Sequence, residues 1–321
     1  MTHTVNPVRM VTKQASARQA PSLPRHCSKQ GPARSVDQVL FQGSATAIGA
    51  FRCPVGHPAF TDSGPTERCI VVFPRTSVWI RHEGSQSFVA DPNLVTIYNR
   101  AQHYERAPLS PDGDRCDWFA VSDSLARDIA GAFDPAAADS AARPFRFESA
   151  PTTPALYLTQ RQAVQRAVSG DADPLRLEED VVGIVTRVLA MAYQRSAEPL
   201  AHRPSAVRRR RELAEHAKAE LLRTMTINRP ASEIADAVGT STFHLCRLFR
   251  AHTGRTMHEY RTELRVRAAL ELLADAGGGA TVSHVAHHLG FSSHAHFVRI
   301  CRHRLGAAPG ELRRQLRSGA A

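Results

Sequence analysis

The chain has no apolar run near the roughly 18 residues that a membrane helix requires, so no membrane span and no membrane partner are expected. Cysteine is scarce and scattered: Cys27, Cys53, Cys69, Cys116, Cys246 and Cys301 contain no CxxC pair. Such spacing argues against a disulfide scaffold and for a reduced, cytoplasmic protein. Acid is absent from the first 36 residues, which carry six basic residues and scattered Pro and Gln. That stretch also lacks the apolar core of a secretory signal. Residues 1–36 are expected to form a disordered basic arm.

What the chain does have is positive charge, unevenly placed. Its 321 residues carry a formal net charge of +11. From Arg203 to the end there are 20 Lys and Arg against 10 Asp and Glu, a net +10, which leaves +1 for residues 1–202. The length suits about two domains, and the asymmetry suggests a neutral one joined to one that meets a polyanion. By charge alone, nucleic acid is the first candidate and an anionic membrane surface the second.

The two parts also differ in pattern. "CIVVFP" (69–74), "SVWIRH" (77–82), "LVTIYN" (94–99) and "DWFAVS" (117–122) are short β-branched or aromatic runs separated by Pro, Gly, Asp and Asn. Their close spacing predicts an antiparallel sandwich or barrel. Ser122 or Ser124 is a candidate cap for a short helix through Phe133. Helices are predicted over 154–170 and 174–195, the second with Leu177, Val181, Val185 and Leu189 at helical spacing. That stripe is broad enough to bury against a partner helix or a second subunit. "SAEPLAHRPS" (196–205) reads as a linker. The boundaries are thus 37–195 for an N-terminal sensing or dimerisation domain and 206–321 for an almost wholly helical one.

The helical part repeats itself. Ile234-Ala235 aligns with Val285-Ala286, and Val238-Gly239 with Leu289-Gly290. Ser241, His244, Leu245, Arg247, Leu248, Arg250 and Gly254 then align with Ser293, His296, Phe297, Arg299, Ile300, Arg302 and Gly306, after Phe291 lengthens the second turn by one residue. Each unit is a short helix, a turn after Gly, a Ser N-cap and a second, basic helix. That is the layout of a helix-turn-helix, whose second helix enters the DNA major groove. Leu245, Leu248 and Phe249 form the docking stripe of the first basic helix, and Phe297, Ile300 and Cys301 that of the second. Two units on one long helix, 257–276, would address groove faces roughly 34 Å apart.

The His and Cys residues crowded into both basic helices do not form a metal site. Residues two apart on a helix point about 200° apart, so His244 diverges from Cys246 and His294 from His296. His284, His287 and His288 share one face, which reads as a solvated surface with some capacity for adventitious metal. Cys246 and Cys301 as a redox pair is the weaker reading, because Cys301 falls on the inner stripe.

Residues 206–317 resemble the DNA-binding domain of AraC/XylS-type transcription regulators. The resemblance rests on "IADAVGTSTFHLCRLFRAHTG", "EYRTELRVRAALELL" and "VAHHLGFSSHAHFVRICRHRLGAAPGELRR". It covers about a third of the chain, and the ordered pair of units makes it specific. Met257, Cys301 and Leu312 depart from the usual Pro, Phe and aromatic residue. The resemblance implies base-reading positions at Thr242, Phe243, Cys246 and Arg247, then at His294, Ala295, His296 and Arg299. Arg250, Arg302 and Arg304 are better placed for phosphates.

The resemblance further implies an N-terminal cupin-like barrel that senses or dimerises. Expected partners are double-stranded operator or promoter DNA, RNA polymerase if the protein activates, a small-molecule effector and a second copy of the chain. No metal, cofactor or catalytic residue is expected, since the HxH-plus-Glu pattern of cupin enzymes is missing. Trp79, Tyr98, His57 and Trp118 are candidates for a pocket or for core. A bacterial, nucleoid-associated location follows. Two rival readings are a cupin-type enzyme with a DNA-binding tail and an architectural binder that reads no bases.

Overall fold

A computed structural model describes residues 36–61, 64–138, 143–170, 172–196, 204–275 and 280–317. These fall in a single unit, residues 34–321. The basic arm, apart from Val36, and residues 197–203 of the expected linker lie outside the described residues.

The N-terminal part is two antiparallel sheets. Strands β1 (Asp37–Gln42), β2 (Thr46–Cys53), β3 (Cys69–Pro74), β4 (Val78–His82), β5 (Phe88–Ala90), β6 (Leu94–Tyr98), β7 (Tyr104–Pro108) and β8 (Asp114–Val121) come first. Helices α1 (Asp123–Gly131) and α2 (Pro135–Ala138) follow, then strand β9 (Ser149–Pro151). The larger sheet runs β1-β2-β8-β3-β6-β9 and the smaller β5-β4-β7. Alternation along each strand sends side chains to opposite faces. On β3, Val71 and Phe73 join the main core, while Ile70 and Val72 face the other way.

Helices α3 (Pro154–Ser169) and α4 (Pro174–Ser196) lie on the core face of the large sheet. The α4 stripe Leu177, Val181, Val185 and Leu189 is buried within this chain, in one cluster with Phe73, Ile97 and Phe119. It is therefore spent on the chain's own sheet and is not open to a second subunit. Each such side chain contributes about 1.5–3 kcal/mol on burial.

The C-terminal part is α5 (Pro204–Arg223), α6 (Ala231–Val238), α7 (Thr242–Thr253), α8 (Met257–Ala274), α9 (Val282–His288), α10 (His294–Leu305) and α11 (Pro309–Arg317). Thr256 and Glu259 cap α8 reciprocally, each side chain bonding the other's backbone N–H. The two helix-turn-helix units bury their apolar faces differently. The first has its own cluster, built from Ala217, Leu221, Ile234, Leu245, Phe249, Tyr260 and Leu264. The second, through Leu270, Val285, Phe297, Cys301 and Leu316, shares one continuous core with α3, α4 and the large sheet.

Helix α3 is thus buried on nearly all sides, and one of its polar residues is caught there. Gln160 is fully buried, and neither its amide oxygen nor its nitrogen has a hydrogen-bond partner among the described residues. An unmet buried polar group costs about 1–3 kcal/mol.

Helix α8, which joins the two units, also meets the N-terminal domain through polar groups. Tyr260 Oη donates to Asp91 Oδ2 at 2.6 Å, and Asn93 Nδ2 donates to Tyr260 O at 3.0 Å. Arg267 is buried and donates to Asn93 Oδ1 at 2.6 Å and to Thr152 O at 2.7 Å. Glu271 receives Tyr157 Oη at 3.0 Å and is bonded by Arg75 and Arg161.

Candidate nucleic-acid interface and sensing cavity

The two turns are built alike. Gly239 closes α6 with φ of 74°, a left-handed conformation that favours glycine. Gly290 holds the matching turn at φ of 75°, and a Cβ there would lie 2.2 Å from the Thr226 carbonyl oxygen. Ser241 Oγ then accepts from His244 N at 3.3 Å, and Ser293 Oγ accepts from His296 N at 3.1 Å. These caps satisfy donors that a helix start leaves open, and each launches a basic helix at the same point of the repeat.

The faces left open carry the expected residues. On α7, Leu245, Leu248 and Phe249 point inward, while Thr242, Phe243, Cys246, Arg247 and Arg250 are exposed. Phe243 is 76% exposed, which makes it an aromatic presented to solvent. On α10, Phe297 and Cys301 are buried, and His294, Ala295, Arg299 and Arg302 are exposed. A shallow hollow on that face is lined by His294, Ala295, Val298, Arg299 and Arg302.

Two residues depart from that plain exposure. His296 is half-buried, its Nδ1 2.9 Å from Ser292 Oγ and its ring 5.9 Å from that of Phe291. Partial burial and the nearby Arg299 lower its pKa, which favours the neutral imidazole. Arg304 is also half-buried, and its Nη1 lies 3.8 Å from Glu263 of α8. His294 Nδ1 lies 2.8 Å from Ser283 Oγ.

The thiols separate by burial. Cys246 is exposed and Cys301 buried, and burial pushes the Cys301 pKa up to about 12. Among the described residues no three His, Cys, Asp or Glu side chains are grouped to hold a metal ion. Across them no helix is long and apolar enough to cross a membrane.

Between the two sheets lies a cavity of about 410 Å³. Its walls include Phe51, Val72, Ile80, Tyr98, Tyr104 and Trp118. Of the four candidates read from the sequence, Tyr98 and Trp118 line it. Trp79 packs on His216 of α5, with ring centroids 5.7 Å apart, and His57 caps the turn at Pro58–Phe60 by accepting from Ala59 N.

Sequence reasoning missed the cavity's charged pair. Arg106 is buried, its Nε 3.1 Å from Asp114 Oδ2, its Nη2 donating to Tyr104 Oη at 3.0 Å, and its guanidinium 4.5 Å from the centre of the Phe51 ring. Burial opposes its charge, but Tyr104 and Asp114 outweigh that, so its pKa is raised and it stays protonated. "YERAP" in the sequence carries no sign that its Arg would be enclosed.

A charged, N-capped pair of helices on a helical scaffold defines a helix-turn-helix DNA-binding domain. The helix-turn-helix domain family matches residues 234–315. Over 96 residues, 29% of this chain, the sequence is 38% identical to the HTH-type transcriptional regulator GlxA of Rhizobium meliloti (strain 1021). That match spans 28% of the length of the curated relative. An AraC-type DNA-binding-domain-containing regulator from Chromobacterium violaceum is 26% identical, covering 35% of this chain and 96% of its own, with a TM-score of 0.31. Apo ToxT of Vibrio cholerae strain SCE256 is 11% identical, covering 85% of this chain and 98% of its own, with a TM-score of 0.36. Residues 234–315 thus match a helix-turn-helix domain, similar to part of an HTH-type transcriptional regulator.

Proposed function

We propose that the chain is a sequence-specific, DNA-binding transcription regulator and not an enzyme. Helices α7 and α10 read two successive major-groove segments. The observation that carries this reading is the equivalent placement of Arg247 and Arg299 on the open faces of two N-capped helices. A guanidinium there can bond guanine O6 and N7 together. Thr242, Phe243, Cys246, His294, Ala295 and His296 complete the base-facing surface. Arg250 and Arg302 serve phosphates. Arg304 joins them by leaving Glu263.

The N-terminal domain is a cupin-like barrel that binds a small-molecule effector between its sheets. A cavity of about 410 Å³ suits a small ligand. Its apolar walls fit a mainly apolar molecule, and the Arg106–Asp114–Tyr104 group fits one polar substituent. A homodimer would use outer surfaces, such as the exposed Val168 and Leu175 at the α3–α4 corner. Contact with RNA polymerase belongs to this reading only where the protein activates. The setting is the bacterial cytoplasm, on the nucleoid. The domain division follows the same reading: a basic arm to residue 36, a sensor from 37 to 195, a linker from 196 to 205 and the DNA-binding part beyond.

Selection of bound duplexes from a random pool tests the function directly. Enrichment of one sequence supports base reading, and uniform recovery of all sequences contradicts it.

A further inference from the structure

Strand β5 is an edge of the small sheet. Val89 pairs opposite Trp79 of β4, yet Val89 is fully buried, and both its backbone groups are taken up by one helix of the DNA-binding part. Val89 N donates to Glu215 Oε2 at 2.7 Å, and Lys218 Nζ donates to Val89 O at 2.7 Å. Glu215 and Lys218 lie one turn apart on α5 and bond each other at 2.9 Å, which closes a ring. The second oxygen of Glu215 reaches His252 Nε2, at the end of α7, at 2.8 Å. Lys218 Nζ also lies 3.5 Å from Asp91 Oδ2, which holds Tyr260 of α8. An exposed strand edge normally needs covering, and here the cover is a pair of buried, opposite charges from another domain.

Two further observations give this contact a role. The second helix-turn-helix unit is merged with the sensor through an apolar core, whereas the first has a core of its own. The hydrogen-bonded groups of the β5–α5 contact, unlike an apolar core, can be hydrated on opening. In addition, Ala90, the neighbour of Val89, lines the cavity together with Val78 and Ile80 of β4. The clamped residue is thus the immediate neighbour of one in the cavity wall.

We propose that the Glu215–Lys218 pair is a releasable clamp on β5: closed, it restrains the first helix-turn-helix unit against DNA, and filling of the cavity opens it. This rests on the reading that the first unit binds DNA and the cavity binds a ligand. Coupling of this kind is reciprocal, so DNA binding must loosen the clamp as much as the clamp weakens DNA binding.

The test uses the full chain and amide hydrogen exchange at Val89, with and without a duplex taken from the random-pool selection. The expected result is faster Val89 exchange when the duplex is bound; unchanged or slower exchange overturns the proposal. Lys218→Met and Glu215→Gln should each speed Val89 exchange without DNA and tighten duplex binding by roughly 5- to 100-fold. Unchanged or weaker binding by a variant with a cooperative thermal transition also overturns it. Should either variant fail to fold, the wild-type exchange experiment still decides. Ala90→Leu places extra carbons in the cavity and should speed Val89 exchange; no change overturns the link to the cavity. If the variants loosen Val89 and tighten binding to every duplex alike, the base-reading assignment falls and the clamp stands. If a duplex is selected and Val89 is indifferent to everything, the clamp falls and the assignment stands.

Discussion

Arg247 and Arg250 are both exposed on α7, three positions apart, and are assigned different work. A base contact carries sequence information, whereas a phosphate contact carries affinity and salt dependence. Arg247→Ala should cost about 1–3 kcal/mol on the selected site and relax preference at one base pair. Arg250→Ala should weaken all sequences alike and flatten the salt slope. Binding titrations on selected and random duplexes at several salt concentrations check both. Equal losses on both DNAs for both variants would contradict the division of roles. The thiols give a second expectation at this scale. Cys246 should react with maleimide in the folded protein at pH 8, while Cys301, buried with its pKa near 12, should react only on unfolding. Peptide mapping of the labelled chain reads this out.

At the scale of elements, Gln160 in α3 leads to an unusual expectation. Its amide is fully buried with no partner among the described residues, so Gln160→Leu should raise the unfolding free energy, by about 1–3 kcal/mol where the new side chain fits. Thermal or urea unfolding measures this, and a loss of stability would show that the amide is satisfied in solution. Elements also differ in how far the sequence announces them. The helices of the DNA-binding part were legible because Gly239, Gly254 and Gly306 stop them and Ser241 and Ser293 start them. Strand β2 was harder to see because Gly49 interrupts its pattern. The structure shows why glycine is there: a Cβ would fall 2.1 Å from the Trp118 ring. Strands β5 and β9 are three residues each, too short for any period to show. Nothing local in the sequence marks Glu215 and Lys218, because their partner strand lies 126 and 129 residues upstream. The α4 stripe announced burial but not its partner, which proved to be the chain's own sheet.

At the scale of the whole molecule, the two helix-turn-helix units meet the N-terminal domain differently, the second through an apolar core and the first through the buried charges of α5. The ionic contact titrates. Burial pushes the Glu215 carboxyl up, but Lys218, His252 and the Val89 amide outweigh it and bring its pKa to about 2 from an ordinary 4.5. A lowered folded value means that the stabilisation is complete above about pH 4.5 and is lost as the pH falls through 2. The stability difference between wild type and Glu215→Gln should therefore be constant near neutrality and shrink below pH 4.5. Urea unfolding across pH 2 to 7 measures it, and a difference that persists at pH 2 would contradict the assignment.

The central claim is that two helices of one chain read two stretches of one duplex. Selection from a random duplex pool, followed by sequencing of the bound fraction, tests it most directly. The expected result is a site with two conserved elements whose centres lie about 10 base pairs apart, one turn of the duplex. Recovery of a single element, or of no preferred sequence at all, would contradict it.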